Sequence, residues 1–322
     1  MNFLVTGGAG YIGGTVATIL MQAGHRVTVL DNLCHSKRSE VPEGAEFVEA
    51  DIADRVKVEA LLRELQPDGV LHFAALIEAG DSMRVPEVYF RNNTASTLAL
   101  LEAMHATGVK KLVFSSTAAV YGEPKSVPIE ETAELSPTNA YGESKLLVEY
   151  MLQWLHKIHG LRYASLRYFN VAGALPHRGE AHEPESHIIP LILDVALGRR
   201  KSISIFGDDY ATPDGTCIRD YIHVRDLADA HVLAFNALSE HDRLILNLGN
   251  GSGFSVKEVV DSARRVTGHA IPVEMKERRP GDPARLVAGS EKAKTVLGWK
   301  PQISDIDSIV KSAWEWQKQR YK

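Results

Sequence analysis

Three polar side chains in the middle of the sequence have the types and spacing needed for proton transfer at an alcohol. Tyr141 and Lys145 are four residues apart, which places them on one face of a helix. A phenol has a pKa of about 10, but a neighbouring ammonium and a positively charged cofactor ring would lower it. Thr117, which follows Ser115 and Ser116, could hydrogen-bond the same substrate oxygen. We therefore predict that Tyr141 takes a proton from a hydroxyl whose carbon loses a hydride.

A glycine-rich turn near the start of the chain offers a site for the hydride acceptor. Residues 7–13 read GGAGYIG, which satisfies both G-x-G-x-x-G and G-x-x-G-x-x-G. Such glycines let the backbone approach a pyrophosphate at a helix N-terminus. Asp31, about 20 residues beyond the turn, can bind the adenosine ribose and would repel a 2′-phosphate. NAD is therefore favoured over NADP, although Lys37 and Arg38 are basic residues that could hold a phosphate.

The elements that must position these residues alternate between strands and helices. Hydrophobic β-branched runs predict strands, and stretches at 56–65 and 93–106 have helical spacing. Ser136–Asn139 predicts the start of the helix that carries Tyr141. This alternation predicts an α/β fold with a doubly wound parallel (Rossmann) sheet, whose ligands bind at the carboxyl ends of the strands. The predicted strands are Phe3–Thr6, Arg26–Leu30, Glu46–Glu49, Gly69–Phe73, Lys111–Ser115 and Tyr163–Arg167.

Beyond about residue 170 the alternation stops, and prolines and glycines interrupt the chain. This change predicts a second, smaller and more irregular lobe. We predict a dinucleotide-binding domain at 1–172, to which 220–248 returns, and a substrate lobe formed by 173–219 and 249–322. Within the returning segment, Asp220–Ala237 is expected to form a strand and a helix.

Composition excludes several classes of protein. The 322 residues include 36 Lys and Arg and 41 Asp and Glu, a formal net charge of −5, which offers no basic surface for nucleic acid or an anionic membrane. Cys34 and Cys217 cannot form a disulfide framework, so a cytoplasmic location is expected. No uncharged apolar run approaches the roughly 18 residues of a membrane span, and no cleaved signal segment is expected.

Motifs along nearly the whole chain resemble a known family. The glycine turn, Ser115–Thr117 and the Tyr141/Lys145 pair together resemble the extended short-chain dehydrogenase/reductases. Later motifs are similar to the UDP-glucose 4-epimerases of that superfamily: RYFNVAG at 167–173, DY and PDGT within 209–216, RDYIHV at 219–224, RRPGD at 278–282 and LGWKP at 297–301. The resemblance implies a homodimeric NAD-dependent isomerase that interconverts UDP-glucose and UDP-galactose through a 4-keto sugar, with tightly held NAD.

The motifs and the resemblance together imply the site residues. Tyr141 is the acid–base residue, Lys145 its partner and Thr117 the supporting hydroxyl. The residues expected to bind NAD are Gly7, Gly10, Tyr11, Ile12, Gly13, Asp31, Asn32, Ser36, Asp51, Ile52, Phe73, Ala74, Ala75, Leu76, Asn92, Lys145 and Phe169. The residues expected to bind the UDP-sugar are Thr117, Tyr141, Asn170, His187, Ile188, Ser204, Ile205, Phe206, Arg219, Arg279 and Asp282. Arginine forks suit a diphosphate, although Arg219 and Arg279 could instead pair with Asp220 or Asp282.

Three positions depart from the family pattern. Ile77 stands where some relatives carry Lys, and His187 where some carry Asn. Leu286 stands where relatives carry a large aromatic or a small residue beside the sugar's 2-substituent. Its intermediate size leaves UDP-N-acetylhexosamines, UDP-pentoses and UDP-uronates open as alternative substrates.

Other activities are weaker interpretations. Related 4,6-dehydratases carry Asp-Glu after the threonine, where this chain has Ala118-Ala119, so elimination of water is not expected. A non-catalytic NAD-dependent regulator is disfavoured by the complete set of Thr117, Tyr141 and Lys145. The segment at 177–187 is rich in His and Glu, but its loose spacing fits no metal site, so no metal is expected.

The helix that carries Tyr141 continues with more apolar residues than one sheet contact needs. Together with the resemblance, this predicts a homodimer formed through this helix and the one at 93–106. The apolar residues are Leu146, Leu147, Tyr150, Met151, Trp154 and Leu155.

Overall fold

The computed structural model describes residues 1–279 and 282–322. The strands of the described residues are β1 (Asn2–Thr6), β2 (Arg26–Asp31), β3 (Glu46–Glu49), β4 (Gly69–His72), β5 (Lys111–Thr117), β6 (Arg162–Tyr168), β7 (Asn170–Ala172), β8 (Ile203–Phe206), β9 (Ile218–Arg219), β10 (Tyr221–His223), β11 (Arg243–Leu248), β12 (Phe254–Ser255), β13 (Val273–Lys276) and β14 (Arg285–Leu286). The α-helices are α1 (Tyr11–Gln22), α2 (Arg55–Leu65), α3 (Ala79–Ser82), α4 (Pro86–Tyr89), α5 (Ser96–Thr107), α6 (Ala140–His159), α7 (Ile188–Ala196), α8 (Val224–Ala237), α9 (Val256–Thr267), α10 (Glu291–Leu297) and α11 (Ile306–Arg320).

Seven strands form a central sheet in the order β11-β6-β5-β4-β1-β2-β3, and every pairing in it is parallel. The strand order reverses between β1 and β4, which is the point where a doubly wound sheet binds ligands. The sheet confirms the predicted fold class. Each of the six predicted strands is present, with ends shifted by at most two residues.

Helices cover both faces of this sheet because its strands are buried on both sides. Val5 belongs to a core cluster with residues of α1 and α8, such as Leu20 and Leu227. Its neighbour Leu4 belongs to a different cluster, which includes Leu62 of α2 and residues of α5 and α6. Successive side chains of a strand point to opposite faces, so one strand supplies both cores.

The returning segment differs in part from its prediction. Helix α8 packs against α1 and the central sheet, as predicted. Strand β10 instead pairs with β7, just beyond the carboxyl end of β6, and the two form a separate small sheet. The strand that joins the central sheet is β11, which the sequence analysis did not identify.

The smaller lobe has a hydrophobic core of its own. It gathers apolar residues from α7, α9 and α11 around the β8–β13 pair. Residues 291–299 do not join this core, because α10 packs against α8 and β11 and Trp299 is buried in the core of the central sheet. Among the described residues, no helix is long and apolar enough to cross a membrane.

Helix α6 begins and ends at well-defined caps. The Asn139 side chain accepts a hydrogen bond from the backbone N–H of Gly142 at 2.8 Å, which satisfies an otherwise free donor of the first turn. Gly160 ends the helix in the left-handed conformation, with φ of 70°. The predicted helix start is therefore confirmed, and it fixes Tyr141 and Lys145 on the first two turns.

Candidate functional site

A cavity of about 380 Å³ opens at the carboxyl ends of the central strands. Every residue expected to bind NAD contributes to its lining, and so do Thr117 and Tyr141. The sequence analysis did not single out several other lining residues as ligand contacts. These are Leu30, Cys34, His35, Ala50, Ile77, Glu78, Ser115, Tyr168, Val171, Glu180 and His182.

The glycine turn forms a cradle that side chains would fill. Gly7 has φ of +70°, and a Cβ there would lie 2.5 Å from the backbone nitrogen of Ala74. A Cβ on Gly13 would lie 2.4 Å from the Gly7 oxygen. Gly7, Gly10 and Gly13 line the cavity, whereas a Cβ on Gly8 would meet the side chain of Val29. The spacing G-x-x-G-x-x-G therefore describes the turn, which is open to the close approach of a pyrophosphate.

Asp31 ends β2 with its carboxylate fixed beside the cavity. It accepts hydrogen bonds from the backbone N–H groups of Ala9 at 3.1 Å and Leu33 at 2.9 Å, and from the Ser36 hydroxyl at 3.1 Å. The side chain is buried, and its remaining lone pairs can accept from ribose hydroxyls. A carboxylate held in this way matches NAD.

The two basic residues that favoured a 2′-phosphate have partners elsewhere. Lys37 lies 3.5 Å from a carboxylate oxygen of Glu183, and the Arg38 guanidinium lies 3.9 Å above the Phe47 ring. Neither residue is part of the cavity lining. The geometry therefore agrees with NAD rather than NADP.

Asn93, which the sequence analysis missed, fixes the loop after β4. Its side-chain oxygen accepts from the Leu76 N–H at 2.8 Å, and its amide donates to the Leu76 carbonyl at 2.9 Å and to the Ser144 hydroxyl at 3.1 Å. This buried amide ties the loop to α6 at Ser144, the residue that precedes Lys145. Its neighbour Asn92 lines the cavity, as expected for a cofactor contact.

Lys145 is held at the end of β5. Its amine donates a hydrogen bond to the Ser115 carbonyl at 2.9 Å and lies 5.0 Å above the Phe114 ring. Burial lowers the pKa of Lys145 to about 7.

The Tyr141 phenol is subject to opposing influences on its pKa. Among the chain's own groups, burial is the largest influence and raises the pKa of its phenol. A hydrogen bond with Thr117 lowers the pKa, and the charge of Glu78 raises it. Lys145 is not among the groups that shift this pKa, and the lowering expected from a bound nicotinamide ring stays a prediction. The Thr117 oxygen also accepts from the Ala119 N–H at 3.1 Å, which orients the hydroxyl at the end of β5.

A second tyrosine stands close to the first. The hydroxyl of Tyr168, at the end of β6, hydrogen-bonds the hydroxyl of Ser115. Burial raises its pKa, and the charge of Tyr141 raises it further. Tyr168 therefore stays a neutral phenol beside the acid–base pair. Only its position at a strand end could have pointed to it from sequence.

A second cavity, of about 350 Å³, adjoins the first and opens into the smaller lobe. Asn170 and His187 line both cavities. The remaining predicted substrate residues of the lobe line the second one: Ile188, Ser204, Ile205, Phe206, Arg219, Arg279 and Asp282. Residues that were not predicted also line it, among them Arg200, Cys217 and Tyr221. Pro280 and Gly281 of the 278–282 motif lie outside the described residues.

The two predicted arginines differ in their partners. Arg219 forms an ion pair with Asp282, one of the pairings that the sequence analysis left open. The Arg279 guanidinium lies 3.9 Å above the Phe206 ring. Asp220 instead accepts backbone N–H groups at 250, 251 and 288, so its role is to hold three chain segments together.

The His- and Glu-rich segment forms ion pairs. His182 hydrogen-bonds Glu78, and His187 lies 2.8 Å from Glu185. For His187, burial is the largest effect and lowers the pKa, but the bond to Glu185 and the charges of Glu180 and Glu185 outweigh it and bring the pKa to about 9. Across residues 1–279 and 282–322, no group of three or more His, Cys, Asp or Glu is arranged to hold a metal ion.

The parallel sheet, the glycine cradle, Asp31 and the Thr117–Tyr141 pair with Lys145 define a Rossmann-type protein of the short-chain dehydrogenase/reductase class. Within this class, the chain belongs to the NAD dependent epimerase/dehydratase family, whose model matches residues 3–249.

Known proteins resemble the chain over almost its full length. A UDP-glucose 4-epimerase of Streptomyces lividans is 55% identical over 316 residues, which cover 98% of this chain and 95% of the relative. A solved UDP-glucose-4-epimerase from Stenotrophomonas maltophila with bound NAD and formylated UDP-arabinopyranose superposes with a TM-score of 0.96 at 43% identity, covering 100% of this chain and 99% of that one. A solved Bifidobacterium longum enzyme in complex with NAD+ and UDP has a TM-score of 0.95 at 38% identity, with coverage of 100% and 99%.

Proposed function

We propose that this chain is a UDP-glucose 4-epimerase, an NAD-dependent isomerase that interconverts UDP-glucose and UDP-galactose. The observation that carries the proposal is the position of the Thr117–Tyr141 pair. It lies in the cavity built for a dinucleotide, next to a second cavity that contains two arginines. The relatives and solved structures of UDP-glucose 4-epimerases, among them structures with NAD and UDP, support the same activity.

The residues of the first cavity divide the chemistry among them. When bound, NAD supplies the acceptor and donor of hydride at C4 of the sugar. Tyr141 takes the proton of the 4-hydroxyl and later returns it, while the Thr117 hydroxyl orients that oxygen. Lys145, anchored on the Ser115 carbonyl, binds the nicotinamide ribose beside Tyr141. Because C4 regains a hydride and its oxygen regains the proton within one cycle, no net oxidation occurs.

The second cavity holds the part of the substrate that does not react. Arg219 and Arg279 bind the diphosphate. Asp282, which forms an ion pair with Arg219, binds the uridine ribose. Ile188 and Phe206 form the apolar slot for uracil. The UDP group is thereby anchored while the 4-keto sugar turns over above Tyr141, so that both faces of C4 can be reached.

The sugar itself is proposed to be a hexose without an N-acetyl group. Leu286 is partly buried and packs in the cluster that contains Phe169 and Leu135. Leu286 lines neither cavity, so support for a sugar with a 2-hydroxyl group comes from the relatives, which are UDP-glucose 4-epimerases. UDP-N-acetylhexosamines, UDP-pentoses and UDP-uronates are the alternatives that the assay must include.

Two lobes and a homodimer complete the proposal. Separate hydrophobic cores support a dinucleotide-binding domain at 1–172 and 220–248 and a substrate lobe at 173–219 and 249–322, with residues 291–299 assigned to the first domain.

On α6, Tyr150, Trp154 and Ile158 are exposed at four-residue spacing, which supports a dimer through α5 and α6. The unpaired Cys34 and Cys217 support a cytoplasmic location.

The decisive experiment measures interconversion of UDP-glucose and UDP-galactose by purified protein without added cofactor. Epimerisation in both directions, with NAD recovered from the denatured protein, is the expected result. The same assay with the alternative UDP-sugars ranks the substrates. Bound NAD without conversion of any UDP-sugar would instead support the regulator. Sedimentation that shows only monomer at micromolar concentration would contradict the dimer.

A further inference from the structure

The segment at residues 177–187, called the strap below, forms part of the wall of the dinucleotide cavity. Three of its side chains, Glu180, His182 and His187, belong to the cavity lining. The sequence predicted a loop of the substrate lobe here, with His187 as a substrate residue and no metal site. Its contacts instead connect the smaller lobe with both walls of the cavity.

Arg178 ties the strap to the wall formed after β1 and β2. Its guanidinium donates a hydrogen bond to the Gly10 carbonyl at 3.2 Å and a second one to the Glu40 carbonyl. Gly10 belongs to the glycine turn, and Glu40 lies in the 3₁₀ turn that follows β2. Room for the guanidinium depends on Gly14, because a Cβ there would lie 2.1 Å from the Arg178 nitrogen. Arg178 itself is not part of the cavity lining.

His182 ties the strap to the opposite wall. Its Nε2 hydrogen-bonds the carboxylate of Glu78, which stands in the loop after β4. Its ring stacks on His35, with centroids 5.5 Å apart and planes 20° apart. One residue of the strap therefore contacts loops that follow two different strands of the sheet.

Helix α11 supports the strap from outside. Arg320 donates to the carbonyls of Glu180 at 3.1 Å and Ala181 at 3.0 Å, and the Trp316 indole N–H donates to the Glu180 carbonyl at 3.3 Å. The C-terminal helix thus holds the backbone of the strap, while Arg178 and His182 reach inward. Displacing the strap breaks contacts on both sides.

We propose that the strap retains bound NAD and that Arg178 is the residue that slows its release. This inference rests on the proposed NAD site. A dinucleotide that extends from the glycine turn to Tyr141 lies under the strap, and it leaves only when the strap separates from the Gly10 and Glu40 carbonyls. Arg178 is a positioning residue, since it holds the strap without lining the cavity.

The test measures the rate of cofactor release. Protein loaded with radiolabelled NAD is mixed with excess unlabelled NAD, and the label retained is followed by rapid gel filtration. We expect Arg178→Met to release the label at least about tenfold faster than the unsubstituted chain, because two charge-assisted hydrogen bonds are lost. Arg178→Lys, which keeps the charge and a donor, should be intermediate. Arg63→Met, which removes an exposed arginine of α2, is the matched control and should release at the original rate.

A second variant protects the test against misfolding. His182→Phe keeps an aromatic ring on His35 but removes the bond to Glu78, and it should also release label faster. Thermal unfolding of each variant without nucleotide separates a lost tether from a general loss of stability. Label release at the original rate in both Arg178→Met and His182→Phe overturns the proposal.

The outcomes separate this inference from the proposed function. If the chain epimerises UDP-glucose but Arg178→Met holds the label as long as before, the strap is refuted and the function stands. If no UDP-sugar is converted but the label escapes faster from Arg178→Met, the strap stands and the epimerase assignment fails. If the unsubstituted chain retains no label but converts UDP-glucose, the strap is refuted and the function stands; if it neither retains label nor converts any UDP-sugar, both are refuted.

Discussion

A buried ion pair beside the proposed catalytic residues gives the strongest test of how the site is held in place. Glu149 and Arg167 have side chains 1% and 2% exposed. The guanidinium donates twice to the carboxylate, from Nε at 3.0 Å and from Nη2 at 2.5 Å, and the Ser116 hydroxyl donates to it at 2.5 Å. Glu149 lies one turn beyond Lys145 on α6, and Ser116 lies between Ser115 and Thr117 on β5. The pair therefore joins the helix and the strand that carry the acid–base residues.

Replacing Glu149 with Gln keeps the shape of the side chain and removes its charge. Arg167 then remains as an unpaired buried cation, which costs about 3–5 kcal/mol of unfolding free energy. At about 2–4 °C per kcal/mol, the melting temperature should fall by about 10 °C. Turnover should also fall at temperatures where the variant is folded, because α6 is less firmly held on β5.

The assay is thermal and urea unfolding of the NAD-loaded protein, together with the initial epimerisation rate. Glu315→Gln, at an exposed position of α11, is the matched control and should change the free energy by less than about 0.5 kcal/mol. Removing both charges in Glu149→Gln/Arg167→Met should recover part of the loss, since no buried charge is left unpaired. This reasoning would be refuted if Glu149→Gln were as stable as the control. It would also be refuted if the double variant lost as much unfolding free energy as Glu149→Gln and Arg167→Met lose separately when added together.

Three further predictions concern the site and its core. Tyr141→Phe should fold and keep NAD but lose turnover by about 10²-fold or more, because it removes the acid–base hydroxyl, and near-normal initial rates would exclude that role. Asp31→Asn should weaken NAD retention, measured by nucleotide recovered after gel filtration, and unchanged retention would show that the carboxylate does not bind the ribose. His72 is buried between the hydroxyls of Thr6 at 2.6 Å and Thr97 at 2.8 Å, and burial together with the smaller effect of the charge of Lys145 lowers its pKa to about 3. His72 therefore binds a proton near pH 6.5 in the unfolded chain but stays neutral in the folded chain. The contribution of neutral His72 to the free energy of unfolding is complete above pH 6.5. It is lost as the pH falls toward 3, by about 1.4 kcal/mol per pH unit. Urea unfolding at pH 6.5 and 5 should show a larger loss for the original chain than for His72→Gln, and equal losses would contradict this account.

Local rules were sufficient for the sheet and for much of the candidate site. Alternating hydrophobic runs identified six strands, and the motif at 7–13 with Asp31 identified the dinucleotide turn. These signals act over a few residues, or over one strand–helix–strand unit. Where elements were too short to carry such a signal, prediction failed, as with β7 and with the pairing of β10.

The resemblance supplied what local rules could not supply for the second cavity. Short strands and loops from 170 to 282 form it, and no periodicity in the sequence indicates that they meet. The structure brings together the residues that the resemblance implied, and it adds Arg200, Cys217 and Tyr221. These additional lining residues come together through packing between segments that have no regular sequence pattern of their own.

By itself, the sequence determined the order of strands and helices, the glycine cradle and the four-residue spacing of Tyr141 and Lys145. Each of these depends on backbone geometry within a few residues. Tertiary structure decided which charges meet: Arg219 with Asp282, Glu149 with Arg167 and the strap's His182 with Glu78. It also decided that burial and the charge of Glu78 raise the pKa of Tyr141, whereas Thr117 lowers it. The physical reason is that ion pairing and desolvation depend on groups that are distant in the chain, and only the packed fold sets their distances.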